Sequence, residues 1–189
     1  MSLRLGIDLD GVVADFTSGW VRFYNEEFGA GIDVDDVTSW GAAPKLTHFK
    51  HMGEFWRWAR QINGASLFRH LGTYTDSVEV LQSLAMWGHE VVILTSKPDW
   101  AVHDTFAWIA ERELPTREVH MLDEKWRVEC DVYLDDAPHH LRDIAAARPE
   151  SITCRMVRPW NRAVDGVVDI DSWPAFEKLI LDRALGGRI

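Results

Sequence analysis

The stretch Leu3-Arg4-Leu5-Gly6-Ile7-Asp8-Leu9-Asp10-Gly11-Val12-Val13-Ala14-Asp15-Phe16 decides how the rest of the chain is read. Arg4 to Asp8 is a short apolar run closed by an Asp-x-Asp-Gly turn, the pattern of a buried strand that runs into a loop. On extended backbone, side chains two apart share a face, so Asp8 and Asp10 point the same way. Gly11 then lets the chain turn off without a Cβ in its path. Phe16 opens a helical repeat with Trp20, Phe23 and Phe28, and Gly29 and Gly31 stop it.

Further along, the pattern alternates. Residues 33–72 mix aromatic, His and Arg residues in a texture that fits short helices. Asp76 with Glu79 three residues on predicts a capped helix that carries Val80, Leu81, Leu84 and Trp87 and ends at Gly88. Strands are expected at Glu90–Thr95, Val119–Leu122, Asp131–Asp135, Ser151–Val157 and Gly166–Ile170. Helices are expected from Pro98 and Asp99 to the Leu114-Pro115 stop, from Pro138 through Ala147, and around Phe176, Leu179, Ile180 and Ala184. Strands and helices in alternation imply an α/β fold with a doubly wound parallel sheet covered on both faces. Ligands of such sheets sit outside the carboxyl ends of the strands.

Those ends share one chemical character: Asp8-Leu9-Asp10-Gly11, Leu94-Thr95-Ser96-Lys97 and Leu134-Asp135-Asp136. Carboxylates this crowded stay ionised in a dry pocket only beside a cation, so a hard divalent ion with oxygen ligands, Mg²⁺ first, is the expected cofactor. Lys125, ten residues before Asp135, brings a fixed ammonium to the same rim. A cation, a lysine and several carboxylates suit a phosphate group. The whole chain has 189 residues, with 47% hydrophobic and 26% charged, which is the size of one domain or of a core with a small insertion. Its 30 acidic against 20 basic residues give a net charge of −10, which repels a nucleic-acid polymer. No apolar stretch is long enough to span a membrane, and Met1 leads straight into the first strand; both point to a cytoplasmic protein that meets no membrane. Cys130 and Cys154 are too few and too far apart for a disulfide framework or a zinc site, and are expected to be inert core thiols.

Taken in order, Asp8-Leu-Asp10-Gly-Val, Thr95-Ser96, Lys125 and Asp135-Asp136 resemble the four motifs of the haloacid dehalogenase-like (HAD-like) phosphatase superfamily. The longer string Asp8 to Phe16 resembles its 5′(3′)-deoxyribonucleotidase family most closely. The resemblance implies a Rossmann-like core of residues 1–16 and 73–189, with a small helical cap, residues 17–72, inserted after the first strand. It implies that Asp8 is the nucleophile that forms an aspartyl-phosphate and Asp10 the general acid and base. Thr95 and Lys125 would hold and neutralise the phosphoryl group, with Asp135 orienting Lys125 or a metal-bound water. Mg²⁺ would be held by Asp8, Asp136 and the Asp10 carbonyl. Phe16, Ser96, Lys97 and Trp40 are the expected substrate contacts, with Trp56 or Trp58 as further candidates for a second ring against a nucleobase. The substrate would be a small phosphate ester, a nucleoside monophosphate. Two departures stand out: Asp123-Glu124 precede Lys125 where the family often has Arg-Asp, and Lys97 replaces Pro after Thr-Ser.

Simpler readings compete. Asp136 suits the N-cap of the following helix, Phe16 suits the core side of its own helix, and the cap tryptophans suit packing. His48, His51, His70, His139 and His140 read as surface or core residues, and Asp169 and Asp171 as a solvated strand end. The same catalyst acting on a sugar phosphate or other small metabolite, and a non-catalytic protein that binds a phosphate ligand, remain as alternatives.

Overall fold

Residues 1–186 are described by the computed structural model. The chain begins with β1 (Arg4–Ile7), β2 (Ala14–Asp15) and α1 (Phe16–Phe28). It continues through a 3₁₀ turn at Val34–Asp36, α2 (Ala43–Leu46), α3 (Met52–Ala59), a second turn at Leu67–His70 and β3 (Gly72–Thr73). Then come α4 (Ser77–Met86), β4 (Glu90–Thr95), α5 (Val102–Glu111), β5 (Thr116–Met121), a 3₁₀ turn at Lys125–Arg127 and β6 (Val132–Asp135). The chain closes with α6 (Pro138–Ala147), β7 (Ile152–Met156), β8 (Val168–Ile170) and α7 (Trp173–Ala184).

Six of the strands form one parallel sheet in the order β5-β4-β1-β6-β7-β8. The chain winds outward from β1 through β4 to β5, crosses back to β6, and winds the other way. The order therefore reverses between β1 and β6, where an open α/β sheet leaves a crevice at its carboxyl edge. Leu5, Ile7, Val132 and Leu134 are fully buried in this centre. Gly6 lets the strands pack closely there, since a Cβ would meet Leu94 Cδ1 at 2.7 Å and Cys130 Sγ at 3.0 Å and displace those side chains. Cys130 and Cys154 are buried and unpaired, and burial pushes both thiols up to about 12, so they are inert as the sequence implies.

Between β2 and β3 the chain leaves the sheet and returns. The two crossings run side by side as an antiparallel pair, Ala14 against Thr73 and Asp15 against Gly72. The excursion holds α1, α2, α3 and two 3₁₀ turns, in line with the short helices expected of it. Asp15 caps α1, its carboxylate accepting the Ser18 N–H at 3.0 Å, and Gly29 closes that helix at φ 62°.

Three details differ from the sequence expectation. Asp76 stands at φ 64° and makes no side-chain cap, so the Asp-x-x-Glu pattern forms no capping box; the turn from Tyr74 into α4 needs a left-handed residue, and Asp tolerates one. β5 starts at Thr116, three residues before the expected Val119, because pairing with β4 continues past the apolar run. Asp136 is not the N-cap of α6: Ala137 is, and Asp135 Oδ1 accepts the Ala137 N–H at 2.8 Å. Among the described residues no helix is long and apolar enough to cross a membrane.

Candidate active site

β1 delivers Asp8 because the Asp8 N–H still bonds Leu134 O at 3.0 Å, which continues the β1–β6 ladder by one residue. The loop then folds tightly, with Leu9 O accepting from the N–H groups of Val12, Val13 and Ala14. Gly11 makes that possible at φ 78°, and a Cβ there would lie 2.2 Å from Asp136 Oδ2. β4 ends on Thr95 and β6 on Asp135, and these two strands flank β1, so the three strand ends are neighbours. The 3₁₀ turn at Lys125–Arg127 brings Lys125 in from the β5 side.

Lys125 Nζ lies 2.9 Å from Asp8 Oδ1 and 2.5 Å from Asp135 Oδ2, with 2% of its side chain exposed. Burial disfavours an ammonium, but Asp135 and Asp8 outweigh it and hold Lys125 charged well above the ordinary lysine range. Burial raises Asp8 to about 6, the Asp135 and Asp10 charges adding to it and Lys125 opposing. Burial acts on Asp135 too, yet Lys125 and the nearby His140 prevail and hold that carboxyl well below the usual range. Asp136 is pushed well up by burial and then by Asp8 and Asp135. One lysine therefore serves two of the carboxylates, and Asp136 is left with an excess of negative charge around it.

The oxygens divide in the same way. Asp135 spends Oδ1 on the Ala137 N–H and Oδ2 on Lys125. Asp136 Oδ2 accepts the Trp160 indole N–H at 2.6 Å, while its Oδ1 is buried without a partner. Thr95 Oγ1 and Asp10 Oδ1 are also buried and unpartnered. Asp8, Asp135 and Asp136 each bring a ligand atom within 4.8 Å of the others. Because the Asp135 oxygens are committed, Asp8 and Asp136 are the pair that fits a hard cation, whose ligands are oxygens.

Asp8, Asp10, Thr95, Lys125 and Asp136 line one end of a cavity of about 330 Å³, and Asp135 lies outside its lining. That volume suits a small-molecule ligand. Phe16, Trp20, Val37, Ala43, Phe55 and Trp56 line the other end. Phe16, Trp56 and Phe68 form a wall, with ring centroids 5.9 Å (Phe16–Trp56), 5.9 Å (Phe16–Phe68) and 6.2 Å (Trp56–Phe68) apart. These rings lie against each other and leave no slot for a flat ring between them. Phe16 thus both packs and lines the cavity. Trp40 stands at the mouth, 54% exposed and edge-on to His139. Trp58 lies away from the cavity, its indole N–H donating to Glu27.

Among the other expected contacts, Ser96 lines the cavity but donates its hydroxyl to Leu122 O at 3.1 Å. Lys97 does not line it; the ammonium turns back to Asp10 and to the Phe68 ring. Asp123 lines the cavity from an exposed position. Sequence reasoning missed several residues. His139 and His140 line the cavity, with His140 Nδ1 3.5 Å from Asp135 Oδ2, where the sequence suggested surface or core residues. Trp160 was unmarked, because nothing in the sequence links it to Asp136. Arg158 donates to Gly11 O at 2.6 Å and covers the Tyr74 ring at 3.7 Å, tying the Asp-x-Asp-Gly loop to the returning chain. Its loop is anchored by Arg155, which pairs with Asp169, so that acid is bound rather than simply solvated.

A buried aspartate beside a buried ammonium, in a cavity where Asp10, Thr95 and Asp136 each keep one oxygen without a partner, is built to receive a phosphate group, and on this sheet it defines a HAD-like phosphohydrolase. Two solved structures share this fold, and one curated protein is similar in sequence. The HAD hydrolase of Deinococcus radiodurans R1, solved with bound phosphate and sodium, overlays with a TM-score of 0.58 at 14% identity, covering 96% of this chain and 95% of that one. The HAD hydrolase YfnB of Bacillus subtilis, solved bound to magnesium, gives a TM-score of 0.63 at 11% identity over 95% and 98% of the two chains. The 5′(3′)-deoxyribonucleotidase of Bacillus subtilis is 24% identical over 191 aligned positions, 96% of this chain and 100% of that protein. The family described as 5′ nucleotidase, deoxy (pyrimidine), cytosolic type C protein matches residues 2–185, and the chain belongs to it. It is a phosphoric monoester hydrolase of the 5′-nucleotidase type.

Proposed function

We propose that the protein hydrolyses nucleoside monophosphates, deoxyribonucleotides among them, by a Mg²⁺-dependent reaction through an aspartyl-phosphate on Asp8. One observation carries this reading: Asp8 Oδ1 sits 2.9 Å from the Lys125 ammonium in a cavity also lined by Asp10, Thr95 and Asp136, each of which keeps one buried oxygen without a partner. The Asp8 carboxylate attacks phosphorus, and the bond to the leaving oxygen breaks as Asp10 gives that oxygen a proton. Asp10 then takes a proton from the water that displaces Asp8 from phosphorus, and inorganic phosphate leaves. Lys125 and the Thr95 hydroxyl hold and neutralise the phosphoryl oxygens, and Asp135 keeps Lys125 in place. Phosphoryl transfer depends chiefly on such positioning and charge neutralisation.

Asp8, Asp136 and the Asp10 carbonyl would hold Mg²⁺, which when bound supplies positive charge against the phosphoryl oxygens. The orphaned Asp136 Oδ1 and the excess of carboxylates over ammonium groups at this rim support that assignment. Residues 17–72 serve as the cap over a core of 1–16 and 73–189. The antiparallel β2–β3 crossing and the cavity-lining rings of the excursion support this division. A nucleobase stacks on the exposed face of the Phe16–Trp56–Phe68 wall, with Trp40 at the mouth as its second contact; stacking of this kind accepts any base. The buried, unpaired thiols are in keeping with a cytoplasmic enzyme.

A panel of nucleoside 3′- and 5′-monophosphates and sugar phosphates, assayed with Mg²⁺ and with chelator, tests this. The expected result is Mg²⁺-dependent turnover of nucleotides at a kcat/KM well above that of sugar phosphates. Equal, weak turnover of every ester rejects the nucleotide assignment.

A further inference from the structure

Lys97 occupies a position that the chemistry above does not use. Its side chain is 1% exposed. Its ammonium donates to Asp10 Oδ2 and stands 4.0 Å above the centroid of the Phe68 ring. Around it lie Leu9, Ala14, Leu71, Thr105 and Trp108, behind the loop that carries Asp10. An ammonium so buried is costly unless paired, and here one carboxylate oxygen and one ring face provide the pairing. The other oxygen, Asp10 Oδ1, has no partner in the protein.

The grip on Asp10 is thus one-sided, and that has a chemical result. Lysine can only donate, so Oδ2 is held as an acceptor and the carboxylate is fixed in one orientation. We infer that Lys97 is the positioning residue of the acid–base carboxylate: it holds Asp10 by Oδ2 and so keeps that side chain oriented at the cavity, where it meets the leaving oxygen and then the attacking water. Phe68 holds the ammonium from the other side and so links the aromatic wall to the acid–base group. The inference rests on the reading of Asp10 as acid and base, and it gives the lysine that departs from the family pattern at this position a role other than phosphate binding.

In each turnover the Asp10 proton passes to the ester oxygen as the P–O bond breaks, and one proton of water returns to Asp10 as the aspartyl-phosphate is hydrolysed, so the residue is regenerated. A loosely held Asp10 slows both steps, but an ester with a good leaving group needs no proton in the first. Leaving-group dependence therefore separates positioning of Asp10 from a merely structural role.

The experiment compares phenyl phosphate with 2,4-dinitrophenyl phosphate, with Mg²⁺ present, for the unaltered enzyme, Lys97→Met, Lys97→Gln and Asp10→Asn. Circular dichroism verifies folding, and if the Met variant does not fold the Gln variant decides. For Lys97→Met, phenyl phosphate should lose roughly 100-fold in kcat with KM within about threefold, at the low end of the range for general acid–base catalysis. The dinitrophenyl ester should give a rapid burst of one equivalent of phenolate and then slow turnover, as phosphoenzyme accumulates. Equal losses on both esters without a burst, or a loss confined to KM, overturn the inference and return Lys97 to a structural or phosphate-binding role. Unfolding of both lysine variants also overturns it, since the pair is then structural. If Asp10→Asn itself gives no burst and no leaving-group dependence, the assignment of Asp10 has failed, and the inference falls with it.

Discussion

At one end of the cavity, Asp8, Lys125, Asp135 and Asp136 are almost wholly buried and are set by directional bonds: an ammonium between two carboxylates, an indole N–H on a third, and a main-chain N–H on Asp135. At the other end, Phe16, Trp56 and Phe68 are set by one another's faces. The first region fixes atoms to fractions of an ångström but crowds charge. The second fixes shape, and any ring of similar size fills it. Chemistry should therefore belong to the rim and substrate choice to the wall, with kcat and KM reporting on them separately.

The sharpest way to break that division is at the nucleophile. Asp8→Asn should lower kcat by roughly 10⁴-fold or more, as loss of a nucleophile does elsewhere, with little change in the KM for a nucleotide. Its thermal midpoint in the absence of divalent cation should not fall, because the substitution removes a carboxylate that burial and two neighbouring carboxylates disfavour. A KM effect as large as the kcat effect would mean that the rim also selects the substrate.

Next in size is Lys125→Met. Removing one partner of a buried ion pair costs about 3–5 kcal/mol, and here two carboxylates lose the same ammonium. Thermal unfolding should show a midpoint lower by roughly 10 °C, together with loss of turnover. An unchanged midpoint would show that water reaches the carboxylates and that the rim is less dry than its geometry indicates.

Smaller still is Trp40→Ala. Stacking is worth about 1–3 kcal/mol per base, so KM for a nucleoside monophosphate should rise by roughly 5- to 100-fold, while kcat and stability hold, since the ring is 54% exposed. For phenyl phosphate, too short to reach the mouth, KM should not change. If both substrates suffer alike, Trp40 contributes structure rather than recognition.

The two regions also differ in how far the sequence revealed them. Asp8, Asp10, Thr95, Lys125 and Asp136 were legible because strand ends are marked by apolar runs and topology places those ends together, so residue type and position along the chain imply convergence. Trp160 on Asp136 and His140 beside Asp135 were not, since each depends on the path of a loop or the turn of a helix that no local pattern encodes. In the wall Phe16 was legible from the first motif, but the tryptophans only as composition: Trp40, Trp56 and Trp58 look equivalent in sequence, yet one lies at the mouth, one lies within the ring stack, and one donates to Glu27. Lys97 lies between these cases. Its departure from the family pattern was visible, but its partner Asp10 is on another loop and Phe68 on the excursion.

The smallest effect concerns a site remote from both regions, and it separates their electrostatics from the rest of the fold. His89 Nδ1 accepts the Leu3 N–H at 3.1 Å, so that nitrogen must stay unprotonated in the folded chain. Burial and then the N-terminal ammonium hold the imidazole below its ordinary 6.5. The unfolded chain thus binds the extra proton first, and the stability His89 contributes, fully present above about 6.5, is lost as pH falls below it. Asp8 works the other way: its folded value of about 6 lies above 3.8, so the native state takes up that proton first and gains stability between about pH 6 and 4. The two slopes oppose each other in the unaltered protein, which should show a shallow dependence of thermal midpoint on pH from 7 to 5. In Asp8→Asn one of the contributions that oppose His89 is removed, so the midpoint should fall more steeply across that range than in the unaltered protein. Adding His89→Asn, whose side-chain oxygen can still accept the Leu3 N–H, should flatten it. A double variant that declines as steeply as Asp8→Asn would move the acid sensitivity to the cavity, where His139, held below its ordinary 6.5 by burial and then by His140, is the group whose protonation falls in that range.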